Sequence, residues 1–116
     1  MKLKVIFYFL FVLIILTIFE GCSKGPGKYD AFAQCLFEKE ATMYGTEWCS
    51  HCKSQKKMFG KSFQYINYVD CDRNSNECLK NGIRGYPTWI IGGEHYRGEQ
   101  SLQRLASLTD CKLEEN

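Results

Sequence analysis

Hydrophobic and polar positions along this chain change register at two places. Residues 5 to 19, VIFYFLFVLIILTIF, are apolar without interruption, whereas the chain from residue 29 onward breaks into short periodic blocks. Within residues 29 to 38, Phe32, Cys35 and Leu36 fall at helical spacing, which predicts an amphipathic helix. Ala41 to Gly45 is short and apolar and predicts a buried strand. The stretch from Cys49 to Phe59 has helical propensity, with Lys53, Lys56 and Lys57 toward solvent and Met58 and Phe59 toward the core. Residues 65 to 70, YINYVD, alternate as a strand does. Asp72 to Asn76 reads as a polar loop, and Glu77 to Asn81 followed by Gly82 as a short helix closed by a glycine. Thr88 to Ile91 predicts a strand, Gly92-Gly93 a hairpin turn and Glu94 to Arg97 a returning edge strand. Ser101 then caps a last helix through Leu108.

Strands that alternate with helices imply crossover units and a partly parallel sheet, and the final hairpin adds an antiparallel edge. The expected class is α/β, with a central mixed sheet of about four strands flanked by helices. Tyr44, Phe59, Phe63, Tyr65, Tyr68 and Trp89 occupy strand or helix positions suited to its core.

Lys2 and Lys4 precede the apolar run, as in an export signal or membrane anchor over residues 1–21. Fifteen helical residues rise about 22 Å, short of the roughly 30 Å of a hydrocarbon core, so the length favours a signal-peptide core over a span. Residues 22–28 are small, polar and rich in breakers, a tether that places the folded domain at 29–116. Phe19-Glu20-Gly21-Cys22 resembles a bacterial lipoprotein box, which implies a lipid on Cys22, although Phe19 and Glu20 depart from that pattern. An uncleaved N-terminal anchor with Cys22 an ordinary thiol is the alternative. Either ending keeps the domain at a membrane.

At 116 residues, 45% hydrophobic and 24% charged, the chain has the composition of one small folded domain plus an N-terminal segment. The net charge of +2 comes from interspersed charges with no basic stripe, so nothing supports a nucleic-acid partner. Seven cysteines change the picture more, because disulfides persist only in oxidising compartments. With Cys22 lipidated, six would remain to pair.

Cys49-Ser50-His51-Cys52 sits where a predicted strand ends and a helix begins. Cys49 would lie beside the helix's unpaired N–H groups and the positive end of its dipole, a place that stabilises a thiolate. Thiolate is the attacking species, and a second thiol one turn on resolves the mixed disulfide from within. Cys49 is thus the expected nucleophile and Cys52 the resolving residue. Structural zinc uses the same spacing, and Cys71 with Cys78 would complete a four-sulfur set. Six residues separate that second pair, however, where zinc sites commonly have two to four, and no metal is expected.

Gly82-Ile83-Arg84-Gly85-Tyr86-Pro87-Thr88 resembles the segment around the cis-proline of the thioredoxin family, and Trp48 before Cys49 and Lys53 after Cys52 match that family too. The resemblance implies a thioredoxin fold, a cis Tyr86-Pro87 bond opposite the cysteine pair, and no cofactor beyond the redox-active disulfide Cys49-Cys52. Trp48 and Tyr86 would meet an extended substrate segment, which proline's missing N–H leaves the Tyr86 backbone free to pair. From about Phe32 to Cys111, WCxHC with FAQC, a cysteine-containing loop and GYPTW is similar to the thioredoxin-like domain fused to bacterial vitamin K epoxide reductase homologues. That resemblance implies protein thiol/disulfide substrates on the extracytoplasmic face of a bacterial membrane, and electrons passing to a membrane-embedded quinone-linked reductase, here a separate partner. Met43 stands where thioredoxins bury an acid; Glu47, the nearest carboxylate, reads equally as a group that helps deprotonate Cys52 and as an exposed strand-end glutamate with no such role.

His51, when protonated, would place positive charge near Cys49 and make the disulfide more oxidising. The span from thioredoxin to the strong oxidants is about 150 mV, or about 7 kcal/mol for two electrons, so one histidine does not set direction alone. Oxidation of exported proteins is the favoured reading. A membrane-anchored reductant for cytochrome maturation or thiol repair, and a redox-inert adaptor, are the alternatives. Cys35, Cys71, Cys78 and Cys111 admit three pairings. Proximity favours Cys71 with Cys78, and the family resemblance suggests that Cys35 and Cys111 meet, both bridges being structural; a second redox relay at Cys71 and Cys78 stays open. His95, on the hairpin, reads as solvated.

Overall fold

The computed structural model describes residues 1–16 and 25–116, so Cys22 and its expected lipidation lie outside the described residues. The apolar N-terminal run forms helix α1 (Lys2–Leu16), whose described side chains are exposed. Among the described residues, no helix is long and apolar enough to cross a membrane.

The domain runs α2 (Asp30–Glu38), β1 (Thr42–Gly45), α3 (Ser50–Phe59), a 3-10 helix (Gly60–Tyr65), β2 (Asn67–Asp70), α4 (Ser75–Lys80), β3 (Thr88–Ile91), β4 (Glu94–Arg97) and α5 (Leu102–Thr109). The four strands form one sheet in the order β2-β1-β3-β4. β1 lies parallel to β2, with Tyr44 opposite Val69, and antiparallel to β3, with Tyr44 opposite Thr88; β3 and β4 pair antiparallel around the Gly92-Gly93 turn. A parallel pair needs a crossover connection, and here α3 and the 3-10 helix supply it. The C-terminal end of the central strand β1 therefore leads straight into the turn that carries Cys49.

Phe59, the last residue of α3, is central to the main core, stacked on Phe32 of α2 at 6.1 Å and tilted against Trp89 of β3 at 6.2 Å. Met43, Leu36, Leu105 and Trp89 are fully buried around it. A second, smaller cluster gathers Tyr44, Cys71, Cys78 and Ile83 on the other side of the sheet's leading end. Two disulfides tie the periphery: Cys35–Cys111 joins α2 to the residue just past the α5 cap, across 76 positions, and Cys71–Cys78 closes the turn into α4.

Several local expectations shift. The strand expected from residue 65 begins at Asn67, because Gly60 (φ +55°) ends α3 and the chain tightens into the 3-10 helix through Tyr65. Helix α4 begins at Ser75, two residues before the expected Glu77, with Cys78 N–H bonded to Asn74 O at 3.1 Å. Its end follows the glycine pattern: Gly82, at φ +68°, donates to Leu79 O and Ile83 donates to Cys78 O. Lys56 does not point freely into solvent but lies over the Tyr68 ring, 4.0 Å from its centroid. Of the tether, Gly27 and Lys28 are bound to the domain, through Gly27 N–H to Asp30, Asn116 to both carbonyls, and the Lys28–Glu115 ion pair.

Candidate active site

Cys49 is the N-cap of α3. Its extended backbone (φ −71°, ψ 118°) turns its sulfur back over the helix start, where Sγ accepts the Cys52 N–H at 3.2 Å. An N-cap acceptor satisfies one of the helix's orphan donors, and a sulfur in that position gains most when it is negatively charged. Cys52, one turn on, is completely buried, while Cys49 keeps 6% of its surface exposed. The two sulfurs are therefore unequal: one faces the outside at a helix terminus and the other backs onto the sheet.

The close packing behind Cys52 depends on Gly45. A Cβ on that residue would stand 2.8 Å from Cys52 Sγ and 3.3 Å from the Tyr68 ring, so only a glycine lets the thiol sit against β1. Burial pushes the Cys52 thiol up to about 12, helped by its hydrogen bond with Cys49 and opposed by the Thr46 backbone and the Lys56 charge. In the reduced centre Cys52 thus keeps its proton at neutral pH, and Cys49 is the sulfur available for attack.

Met43, where a buried acid was the family expectation, is fully buried and apolar. Glu47 is exposed and already engaged: its Oε1 accepts from Lys56 Nζ at 2.7 Å and from Tyr68 OH at 3.4 Å, and the Lys56 bond is the main cause holding its carboxyl below the usual range. Burial, chiefly, raises the Tyr68 phenol. A carboxylate, an ammonium and a phenol therefore line the β1–α3–β2 side of Cys52, linked to each other rather than to the sulfur.

His51 does not stand alone beside Cys49. Its Nδ1 lies 2.6 Å from Glu99 Oε1, and Glu99 Oε2 accepts from Ser54 Oγ at 2.9 Å. These two bonds, the His51 one first, hold the Glu99 carboxyl below its usual range. Glu99 comes from the β4–α5 loop, which α3 grips through Gln55. The fully buried Gln55 accepts from Trp89 Nε1 at 3.1 Å and from Gln100 N–H at 2.7 Å, and donates to Gln100 O at 2.9 Å. Sequence reasoning passed over both residues. A glutamate in a polar loop and a glutamine among lysines on a helix carry no local signal, since their partners lie 34 to 48 positions away.

The Tyr86-Pro87 bond is cis, Pro87 is buried, and Tyr86 packs against both hydrophobic clusters. The Tyr86 ring meets the Trp48 indole edge to face at 6.1 Å, and Trp48 is 67% exposed. An open aromatic pair thus borders Cys49, a surface suited to an extended peptide segment. His95 lies away from this site, exposed and bonded through Nε2 to Asn81 O. Cys71 and Cys78 are bonded to each other and so offer no thiolate to a metal, and among the described residues no group of three His, Cys, Asp or Glu is placed to hold one.

With this geometry in hand, comparison with known proteins decides the family. The thioredoxin family model matches residues 30–110. The chain belongs to the thioredoxin family. Among its relatives, it is 38% identical over 94 residues to the thiol-disulfide oxidoreductase LTO1 of Arabidopsis thaliana, covering 73% of this chain and 25% of that protein. It is 32% identical over 103 residues to the protein disulfide isomerase-like 2-2 of Oryza sativa subsp. japonica, covering 71% of this chain and 28% of that protein. The chain therefore spans about a quarter of the length of each of these relatives. A solved malarial protein shares the fold, at TM-score 0.52 and 21% identity, over 60% of this chain and 91% of that one. The four-stranded mixed sheet flanked by helices is the thioredoxin fold.

Proposed function

We propose that this chain is a thiol–disulfide oxidoreductase that oxidises cysteines of exported proteins at the extracytoplasmic face of a bacterial membrane. Its electrons pass to a membrane-embedded, quinone-linked reductase of the vitamin K epoxide reductase type. One observation carries the redox reading: Cys49 caps α3 beside the exposed Trp48–Tyr86 pair while Cys52 stands buried and protonated behind it.

In the oxidised centre, a substrate thiolate attacks Cys49 Sγ. The substrate–Cys49 bond forms, the Cys49–Cys52 bond breaks, and Cys52 takes up a proton, as its raised affinity for one favours. A second substrate thiolate then attacks the substrate sulfur and releases Cys49. The substrate has gained a disulfide, and the centre holds two electrons as a dithiol for the membrane partner. Two further bridges, Cys35–Cys111 and Cys71–Cys78, are of the kind that persists in oxidising compartments and support export. The apolar α1, with Cys22 as the lipid site or the helix as anchor, supports the membrane location.

Cys52→Ser tests the whole reading, because a mixed disulfide formed when the Cys49 thiolate attacks a disulfide of the membrane partner or of an exported protein can no longer be resolved from within. Adducts with exported proteins and with a quinone-linked membrane protein, released by dithiothreitol, are expected; recovery of cytoplasmic proteins alone, or of nothing, would sink it. One observation favours a second reading, a membrane-anchored reductant: the Glu99 carboxylate lies 2.6 Å from His51 Nδ1, next to the residue expected to make the centre oxidising. Equilibration with glutathione separates the two, since a reductant sits near the potential of thioredoxin, about −270 mV, and an oxidant well above it.

A further inference from the structure

We propose that Glu99 is a positioning residue of the redox centre, which holds the imidazole of His51 against its own carboxylate and so makes the Cys49–Cys52 disulfide less oxidising than His51 alone would. The inference rests on the redox reading of these two cysteines and not on the direction of electron flow.

Three contacts fix the carboxylate in place. Gln55, buried on the inner side of α3, ties the backbone of Gln100 through two hydrogen bonds and thereby sets the loop next to the helix. Ser54 takes one oxygen of Glu99, and His51 Nδ1 meets the other at 2.6 Å. Gln55, Ser54 and His51 all belong to the helix that begins at Cys49, so the loop is registered against the active-site turn itself. Among the described residues, Glu99 is the one carboxylate within ion-pair distance of His51. His51 is 73% exposed at its side chain and Glu99 only 26%, so the carboxylate is the better-anchored member of the pair.

The sign of the effect follows from counting charges. Reduction converts the disulfide and two electrons into a centre that carries negative charge on Cys49 when its thiol ionises, so nearby positive charge favours the reduced form and raises the potential. With both residues ionised, the pair contributes nothing net; with imidazole neutral, it contributes one negative charge. Replacing Glu99 by Gln makes the pair more positive, or leaves it equal, in every protonation state of His51. The substitution therefore shifts the centre in one direction only, toward a stronger oxidant. A carboxylate that merely stiffened the loop would leave the potential alone.

The test is the equilibrium of the Cys49–Cys52 disulfide with two glutathiones, giving the dithiol and glutathione disulfide, measured on the full chain at pH 6. Glu99→Gln is expected to raise the constant for this reaction by about two- to tenfold, which is about 9 to 30 mV at 29.6 mV per decade. In a His51→Gln background the same substitution is expected to raise it by a smaller factor, because only the carboxylate's own charge is then removed and not its hold on the imidazole. Ser54→Ala, which removes one of the bonds that hold the carboxylate but keeps its charge, is expected to shift it by less than Glu99→Gln, and unfolding midpoints of all variants check that folding is retained. No shift in Glu99→Gln, a shift toward a weaker oxidant, an equal shift in both backgrounds, or an equal shift in Ser54→Ala would each overturn the proposal. Failure of the unaltered protein to exchange with glutathione at all would instead remove the redox reading beneath it.

Discussion

Two cysteine pairs in this domain are each close in sequence and unlike in situation. Both are local, both are almost wholly buried, and both lie at or near the start of a helix. Cys49 is itself the N-cap of α3, so its sulfur receives a backbone N–H, and the helix terminus addresses it directly. Cys71 precedes α4 by several residues, and Cys78 lies inside that helix, where backbone donors are already spent on the turn before. Trp48 and Tyr86 border the first pair, whereas the second is packed beneath Tyr44 and Ile83. The two pairs thus differ in the position of one sulfur relative to a helix end as well as in the number of residues between them.

The comparison is broken most severely by exchanging single atoms. Cys49→Ser is expected to abolish oxidation of a reduced, unfolded test protein, on the order of 10³-fold or more, because it removes the attacking thiolate. The double change Cys71→Ser, Cys78→Ser is expected to leave that rate within about fivefold, the outcome for a bridge that is structural and not a relay. A parallel collapse of both rates would show the second pair to be part of the redox path.

Stability reverses the ranking. Loss of the long Cys35–Cys111 bridge is expected to cost about 4.5 kcal/mol and loss of the short Cys71–Cys78 bridge about 2.5 kcal/mol, from the chain entropy each removes from the unfolded state. Urea unfolding of the two double serine variants measures both, and equal midpoints would contradict that ordering.

Gentle reduction sharpens the contrast between the two sulfurs of the first pair. At pH 8 a thiol held near 12 is ionised in about one molecule in 10⁴, so iodoacetamide is expected to add once, at Cys49, and Cys52 to become reactive only as the pH climbs toward that value. Mass spectrometry of the alkylated protein reads this directly, and two adducts at pH 8 would show that the burial is not holding the proton. The smallest expected effect is that of Gly45→Ala, about 1 to 3 kcal/mol, from a methyl group placed against Cys52 and Tyr68.

Much of this was legible in the sequence, because much of it is local. The helix-terminal position of Cys49 follows from a strand running into a helix, and the closing of α4 follows from Gly82. What escaped was non-local. The 3-10 helix erased the first two positions of an alternating pattern, since Tyr65 was drawn toward the core before the strand had begun. Lys56 read as a solvated lysine because nothing near it in sequence shows that Tyr68 and Glu47 will fold beneath its side chain. Glu99 and Gln55 were invisible for the same reason: a hydrogen bond across 45 positions exists only once the sheet has brought β4 back over α3.

Gln55 has a consequence for time as well as for place. The Gln100 N–H is half-buried and bonded to a side chain that is itself fully enclosed and also bonded to Trp89 in the sheet. That amide opens only when the sheet and the helix part, so its exchange with deuterium should keep pace with the amides of β3 and not with those of the Gly92-Gly93 turn at the other end of β4. A loop that looks like a rim in outline would then have the lifetime of the interior, and the acid it carries would stay in register with the sulfur through many rounds of oxidation and reduction.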